Sequence, residues 1–223
     1  MNRIIRISTT VLLTLAALLS VYELMKALIW SFDVLLLGKK ALRHVLLWFL
    51  AGGFAYYLVF GIVWRKYRGL IHTTIHEWLH ALMCMFMFRD VVSVQSTADD
   101  GGMMYHRGGA NIFIALAPYT LPILTFVALM IASLIPASGR WFYSVVGFTF
   151  FLHMHAFMLQ TSLEQPDLQE SGLYRSLMFI ATFLPMNISI CFYSLGADLW
   201  KGIGMYFASV WGDVSGLIVN LFV

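Results

Sequence analysis

The chain has 223 residues, 61% of them hydrophobic and only 11% charged, and its mean hydropathy is +0.82. A soluble domain carries about 25% charged residues, so too few charges are present to cover a water-exposed surface, and a freely soluble protein is excluded. The net charge of +3 lies mainly at the ends of apolar runs and forms no solvated basic face, which excludes a nucleic-acid partner and leaves the lipid bilayer as the expected surroundings.

A run of about 20 apolar residues is enough to cross a bilayer. The first such run extends from about Ile7 to Phe32 and contains Glu23 and Lys26, expected near its end. Its opening, "MNRIIRISTTVLLTLAALLS", has the basic-then-apolar order of a signal peptide. No small-x-small cleavage site follows, so it is read as an uncleaved first span. The second run, about Ala41 to Trp64, closes on "RKYR", and the third runs from Gly69 to Phe88. In the polar segment 89–109, "VVSVQS" alternates as a strand does, "DDGG" is a turn signal and "MMYH" follows. This predicts a β-hairpin over residues 91–106, turning near Asp99–Gly102. A lone hairpin is marginal in water, so it should lie against the membrane helices.

The fourth run is about Ala110 to Ile135 and the fifth about Trp141 to Gln160; the acidic loop "TSLEQPDLQESG" then leads to a sixth, Leu173 to Leu195. The last stretch, Leu199 to Val223, holds Lys201, Asp213 and scattered glycines, and is either a seventh span or an interfacial helix. The fold class is therefore an all-α polytopic membrane protein of about six transmembrane helices, seven if the last stretch crosses, with a small β-hairpin after the third. For a bacterial source the membrane would be the inner one. Lys and Arg are spread almost evenly between alternate loops, so the positive-inside rule sets no orientation. Cys84 and Cys191 both lie in apolar stretches; they read as packing residues and imply no disulfide framework.

The third run carries the chemistry. In "HTTIHEWLH", residues 72–80, three histidines and a glutamate interrupt a greasy helix, where each charged group costs roughly 2.5–3.5 kcal/mol. His76 and His80 are four apart, so on a helix they share a face with β-carbons about 6 Å apart. That spacing lets two imidazoles bind one metal ion, with Glu77 beside it to take a proton from water, the HExxH arrangement of zinc hydrolases. The bland alternative is a chance match, with these groups satisfied inside a helix bundle. A catalytic zinc site also wants a third protein ligand. Among the acidic candidates, Glu164, Asp167 and Glu170 stand out because they sit between two apolar helices, and Pro166 can fix the backbone before Asp167 and start a helix. The same three residues also read as an exposed acidic loop. His153 and His155 are two apart and point to nearly opposite faces, so at most one could reach a metal, and each reads better as a hydrogen-bonded bundle histidine. His72, one turn before His76, reads as meeting water or headgroups at the helix start, with a supporting or substrate-contacting role as the alternative.

An HExxH motif inside a membrane helix, then a polar hairpin, two more spans and an aspartate at the head of another helix resemble the site-2 protease family of intramembrane zinc metalloproteases. The resemblance spans roughly residues 69–195. It implies that His76 and His80 are zinc ligands, that Glu77 is the catalytic base, and that the substrate is a transmembrane segment of another membrane protein. In that family the third ligand is an aspartate in an Asn/Pro-rich stretch ending in Leu-Asp-Gly; here "LEQPDLQESG" keeps a Pro-Asp pair without the Leu-Asp-Gly, making Asp167 the nearest equivalent. The hairpin around Asp99, Gly101 and Gly102 resembles the family's membrane-associated β element, which implies pairing with an unwound substrate strand. Nothing resembles the PDZ domain that some relatives carry. On this reading a single membrane domain comprises accessory spans at 1–68, a metalloprotease core at 69–195 and a last span or interfacial helix at 196–223.

The rival reading is a non-proteolytic membrane protein that binds or transports metal. It would use the same histidines but has no need of Glu77 between them.

Overall fold

The structure is a computed structural model that describes residues 3–38, 40–97, 101–109, 111–135 and 137–222. Helix α1 (Arg3–Leu37) leads to α2 (Lys40–Tyr56), which continues as a π-helix over Tyr57–Val63. Helix α3 (Arg68–Phe86) is followed by strands β1 (Val91–Ser96) and β2 (Gly102–His106). Three short helices come next, α4 (Ile112–Ala115), α5 (Ala117–Thr120) and α6 (Ile123–Leu134). A 3₁₀ turn then opens α7 (Tyr143–Gln160), and α8 (Pro166–Glu170), α9 (Leu173–Leu195) and α10 (Leu199–Phe222) complete the chain.

Among the described residues five helices are long and apolar enough to cross a membrane: Ser8–Leu37, Lys40–Val63, Gly139–Gln160, Leu173–Leu195 and Leu199–Asn220. The chain is a multi-pass integral membrane protein. Helix α3, interrupted by the histidines and Glu77, has spanning length at 19 residues without being among those five. The last stretch, open between span and interfacial helix, is a continuous helix of spanning length.

Two expectations are corrected. The fourth run is not one helix but three, and the reason is local. Asn111 caps α4 by accepting the Phe113 N–H, and Pro122 interrupts the chain between α5 and α6. A proline has no N–H to give and pushes the residue before it out of helical conformation; Leu121 is indeed extended, with φ −107° and ψ 102°. Irregular backbone at membrane depth is tolerated where it is buried in protein, and here the freed Thr120 carbonyl accepts from Asn187 Nδ2 of α9 at 2.8 Å. The second correction concerns Glu23 and Lys26, which lie in the middle of α1 rather than near its end.

Helix α9 is the most enclosed of the five spans and α10 the least; α1 and α10 both pack on α9, and α2 packs on α7. The α2–α7 pair approaches closely because Gly52 and Gly147 face the other helix's backbone: a Cβ on Gly147 would sit on the Phe49 carbonyl, and one on Gly52 on that of Ser144. The predicted hairpin is present. β1 and β2 pair antiparallel from Val91↔His106 to Ser96↔Gly102, with an irregularity between Val91 and Ser93. The turn closes through Thr97 N–H to the Gly101 carbonyl at 2.8 Å, with Gly101 at φ +81°, a conformation glycine adopts at no steric cost. Both strands pack on α3, which brings the hairpin against the HExxH helix.

Candidate metal centre

Helix α3 presents His76, Glu77 and His80 from consecutive turns, all three buried. Asp167 arrives from the first turn of α8, its side chain 25% exposed, with Pro166 ahead of it as the first helical residue. Asp167 Oδ2 lies 3.2 Å from His76 Nε2 and 3.4 Å from His80 Nε2. One donor atom from each of the three residues falls within 4.8 Å of the other two.

The far side of each imidazole is already committed. His80 Nδ1 is 2.7 Å from the Ile114 carbonyl; a carbonyl only accepts, so Nδ1 carries the proton and a neutral ring turns a bare Nε2 lone pair toward Asp167. His76 Nδ1 is 3.1 Å from Gln160 Oε1 at the end of α7, giving the same polarity. Three lone-pair-bearing atoms thus converge, which calls for positive charge between them. Donor atoms bound tetrahedrally at about 2.0–2.2 Å to one ion stand roughly 3.3–3.5 Å apart, close to the separations from Asp167 to the two nitrogens. Ligand histidines that give their other N–H to a carbonyl or an amide oxygen are the usual supporting arrangement of metal sites. The donor set fits a small metal ion. Burial pushes the Asp167 carboxyl upward, but its close contacts with the His76 and His80 rings outweigh that and hold the group well below the usual carboxylate range, so it stands ionised.

A cavity of about 230 Å³ opens onto this group, and its wall includes Glu77, the β2 residues Gly102, Met103, Met104 and His106, and Glu170. Gly102 lies directly on Glu77: a Cβ there would stand 2.5 Å from Glu77 Cγ and 2.7 Å from its Oε1. Of the three residues expected at the substrate strand, Gly102 lines the cavity, Gly101 sits exposed in the turn, and Asp99 lies outside the described residues. Of the other acidic candidates, Glu170 lines the cavity and Glu164 is exposed in the loop.

The remaining histidines are elsewhere. His72 is buried and does not meet water or headgroups; its Nε2 is 3.0 Å from Tyr56 Oη, and the same hydroxyl is 2.5 Å from His155 Nδ1. His153 is buried on α7. Sequence reasoning missed Gln160, the Ile114 carbonyl and Tyr119, whose hydroxyl is 3.0 Å from Asp167 Oδ2.

The family described as Peptidase M50B-like matches residues 50–163, half of the chain. The match takes in the HExxH helix and the hairpin and stops short of Asp167. Neither the curated proteins nor the solved structures compared with the chain give a match.

Proposed function

We propose a function from one premise: the chain belongs to the Peptidase M50B-like family. In this reading it is an intramembrane zinc metalloprotease that cleaves a transmembrane segment of another membrane protein. The observation that carries it is the convergence of His76 Nε2, His80 Nε2 and Asp167 Oδ2 beside a buried Glu77 in a cavity walled by a β-strand. The core is residues 69–195, with 1–68 as accessory spans and 196–223 as a peripheral span.

His76, His80 and Asp167 would hold the zinc. Once bound, the ion supplies Lewis acidity, lowering the pKa of a water to about 7 and polarising the scissile carbonyl. Glu77 is the general base: it takes the water's proton and hands it to the departing amine nitrogen. A membrane-spanning substrate is helical, with its peptide bonds hydrogen-bonded to themselves, so it must unwind to be cut. Strand β2, whose Gly102 to Met104 line the cavity, offers main-chain groups to that unwound segment by strand addition. Gly102 serves this arrangement by letting the strand backbone close over Glu77 without a side chain between them.

Glu77 separates a hydrolase from a metal carrier, which gains little from a carboxylate at that position. The test uses the purified full chain and a membrane-spanning substrate. Glu77→Gln keeps the size of the side chain and removes the base, so about one zinc per chain should remain while cleavage falls by about 10²–10⁴-fold. His76→Ala with His80→Ala should lose the zinc. A Glu77→Gln protein that cuts as fast as the parent overturns the protease reading; equal zinc in the double alanine variant overturns the ligand assignment.

A further inference from the structure

We infer that Tyr119 is the positioning residue of Asp167, and that the break in the fourth apolar run is what places it. The inference rests on reading the His76–His80–Asp167 group as a metal site. An ionised carboxylate only accepts hydrogen bonds, so in the 3.0 Å contact the Tyr119 hydroxyl donates, to Asp167 Oδ2. That is the same oxygen that faces both histidine nitrogens. The phenol occupies one lone-pair direction of Oδ2 and leaves the other turned toward His76 and His80.

Asp167 needs such a partner more than the histidines do. They stand on a 19-residue helix, whereas Asp167 stands on a five-residue one between two loops. The α8 backbone is pinned from one side, where Ser176 Oγ donates to the Leu168 carbonyl at 2.9 Å. The Asp167 side chain is pinned from the other side by Tyr119.

Tyr119 is itself held rigidly. It is 1% exposed, and its ring stands edge-on to that of His76, with centroids 5.2 Å apart. Its helix, α5, is tied to α9 through the Thr120 carbonyl and Asn187, a bond available because Pro122 interrupts the helix after it. The same broken segment supplies the Ile114 carbonyl to His80. Residues 111–122 therefore orient two of the three ligands, from an element that touches neither α3 nor α8 in sequence. Tyr119 is not among the residues lining the cavity, so it acts through Asp167 and not on substrate.

Zinc affinity of the purified full chain, measured by competition with a chromophoric chelator, tests this. Tyr119→Phe keeps the ring packing and removes the donor. Zinc affinity should fall by about 10–100-fold, the usual effect of losing an outer hydrogen-bond partner. Cleavage should fail at limiting zinc and recover at saturating zinc with KM unchanged. Added to Asp167→Ala, the same substitution should cost no further affinity, because a residue acting only through Asp167 has nothing left to act on. Unchanged affinity in Tyr119→Phe, additive losses in the double variant, or cleavage that stays lost at saturating zinc would each overturn the assignment. A parent that binds no zinc removes the metal reading itself, which sets that failure apart from a failure of Tyr119 alone.

Discussion

Glycine at position 102 is the residue on which Glu77, the proposed base, depends most directly. Its missing side chain lets β2 lie on α3 with Glu77 beneath it, and an alanine there would place a methyl group 2.5 Å from Glu77 Cγ and 2.7 Å from Thr73 Cγ2. The flexible carboxylate is the part that can give way, so the expected damage is a misplaced base and not a broken fold. Gly102→Ala should retain zinc and thermal stability while turnover drops by about 10²-fold, the scale on which an error of about 1 Å acts; undiminished turnover would show that the contact does not set Glu77. At this scale the legible residues were those whose partners are near in sequence. His76, Glu77 and His80 follow from helical spacing, whereas Asp167, 91 residues from His76, stands among three acidic candidates and is singled out by the family resemblance of its Pro-Asp pair. Tyr119 and Gln160 carry no such mark: each reaches the site through tertiary packing, 48 residues from Asp167 in one case and 84 from His76 in the other, and a tyrosine inside an apolar run or a glutamine at the end of one has many other uses.

Among the elements, the α2–α7 pair sets how firmly the centre is backed. Helix α7 ends at Gln160, which holds His76, and its N-terminal part rests on α2 through Gly147 and Gly52, each facing backbone. Packing between membrane helices relies on such small residues because no hydrophobic drive separates helix from lipid. A valine at 147 meets the Phe49 carbonyl, which cannot rotate away, so Gly147→Val should destabilise the protein by about 1–3 kcal/mol and lower its thermal midpoint in detergent. Gly204→Ala on α10, where nothing lies within 4 Å of the added carbon, is the control and should leave the midpoint unmoved. Equal midpoints for both would show that the α2–α7 contact is not tight. The sequence marked most spans well because hydropathy reports length and apolarity directly, and the period-two pattern of "VVSVQS" marked the hairpin. It joined α4, α5 and α6 into one run because hydropathy averages over Asn111, Pro118 and Pro122, although each of the three is a boundary signal in its own right.

Across the whole molecule, the first and last spans are joined by a charge cluster that the proteolytic chemistry does not use. Lys26 Nζ of α1 lies 3.0 Å from Glu23 Oε1, 2.8 Å from Asp213 Oδ2 and 2.6 Å from Ser209 Oγ, the last two on α10. Glu23 is fully buried, and the Lys26 and Asp213 side chains are 31% and 29% exposed. Ionisable groups inside a membrane persist when they pair with one another, and the pairing here spans 187 residues. The two helices also touch directly, with Ser20 Oγ 3.4 Å from Tyr206 Oη, and share packing on α9. Removing the cation alone strands two carboxyl groups, which is the costly way to break such a pair; neutralising all three removes the cost together with the attraction. Lys26→Met should therefore lower the thermal midpoint and expose α10 to limited proteolysis. The triple variant Glu23→Gln, Lys26→Met, Asp213→Asn should recover much of the loss. A Lys26→Met protein as stable and as protease-resistant as the parent would show that the charge cluster does not hold α10, whereas a triple variant worse than the single one would show that the ion pair contributes net attraction beyond mere neutrality.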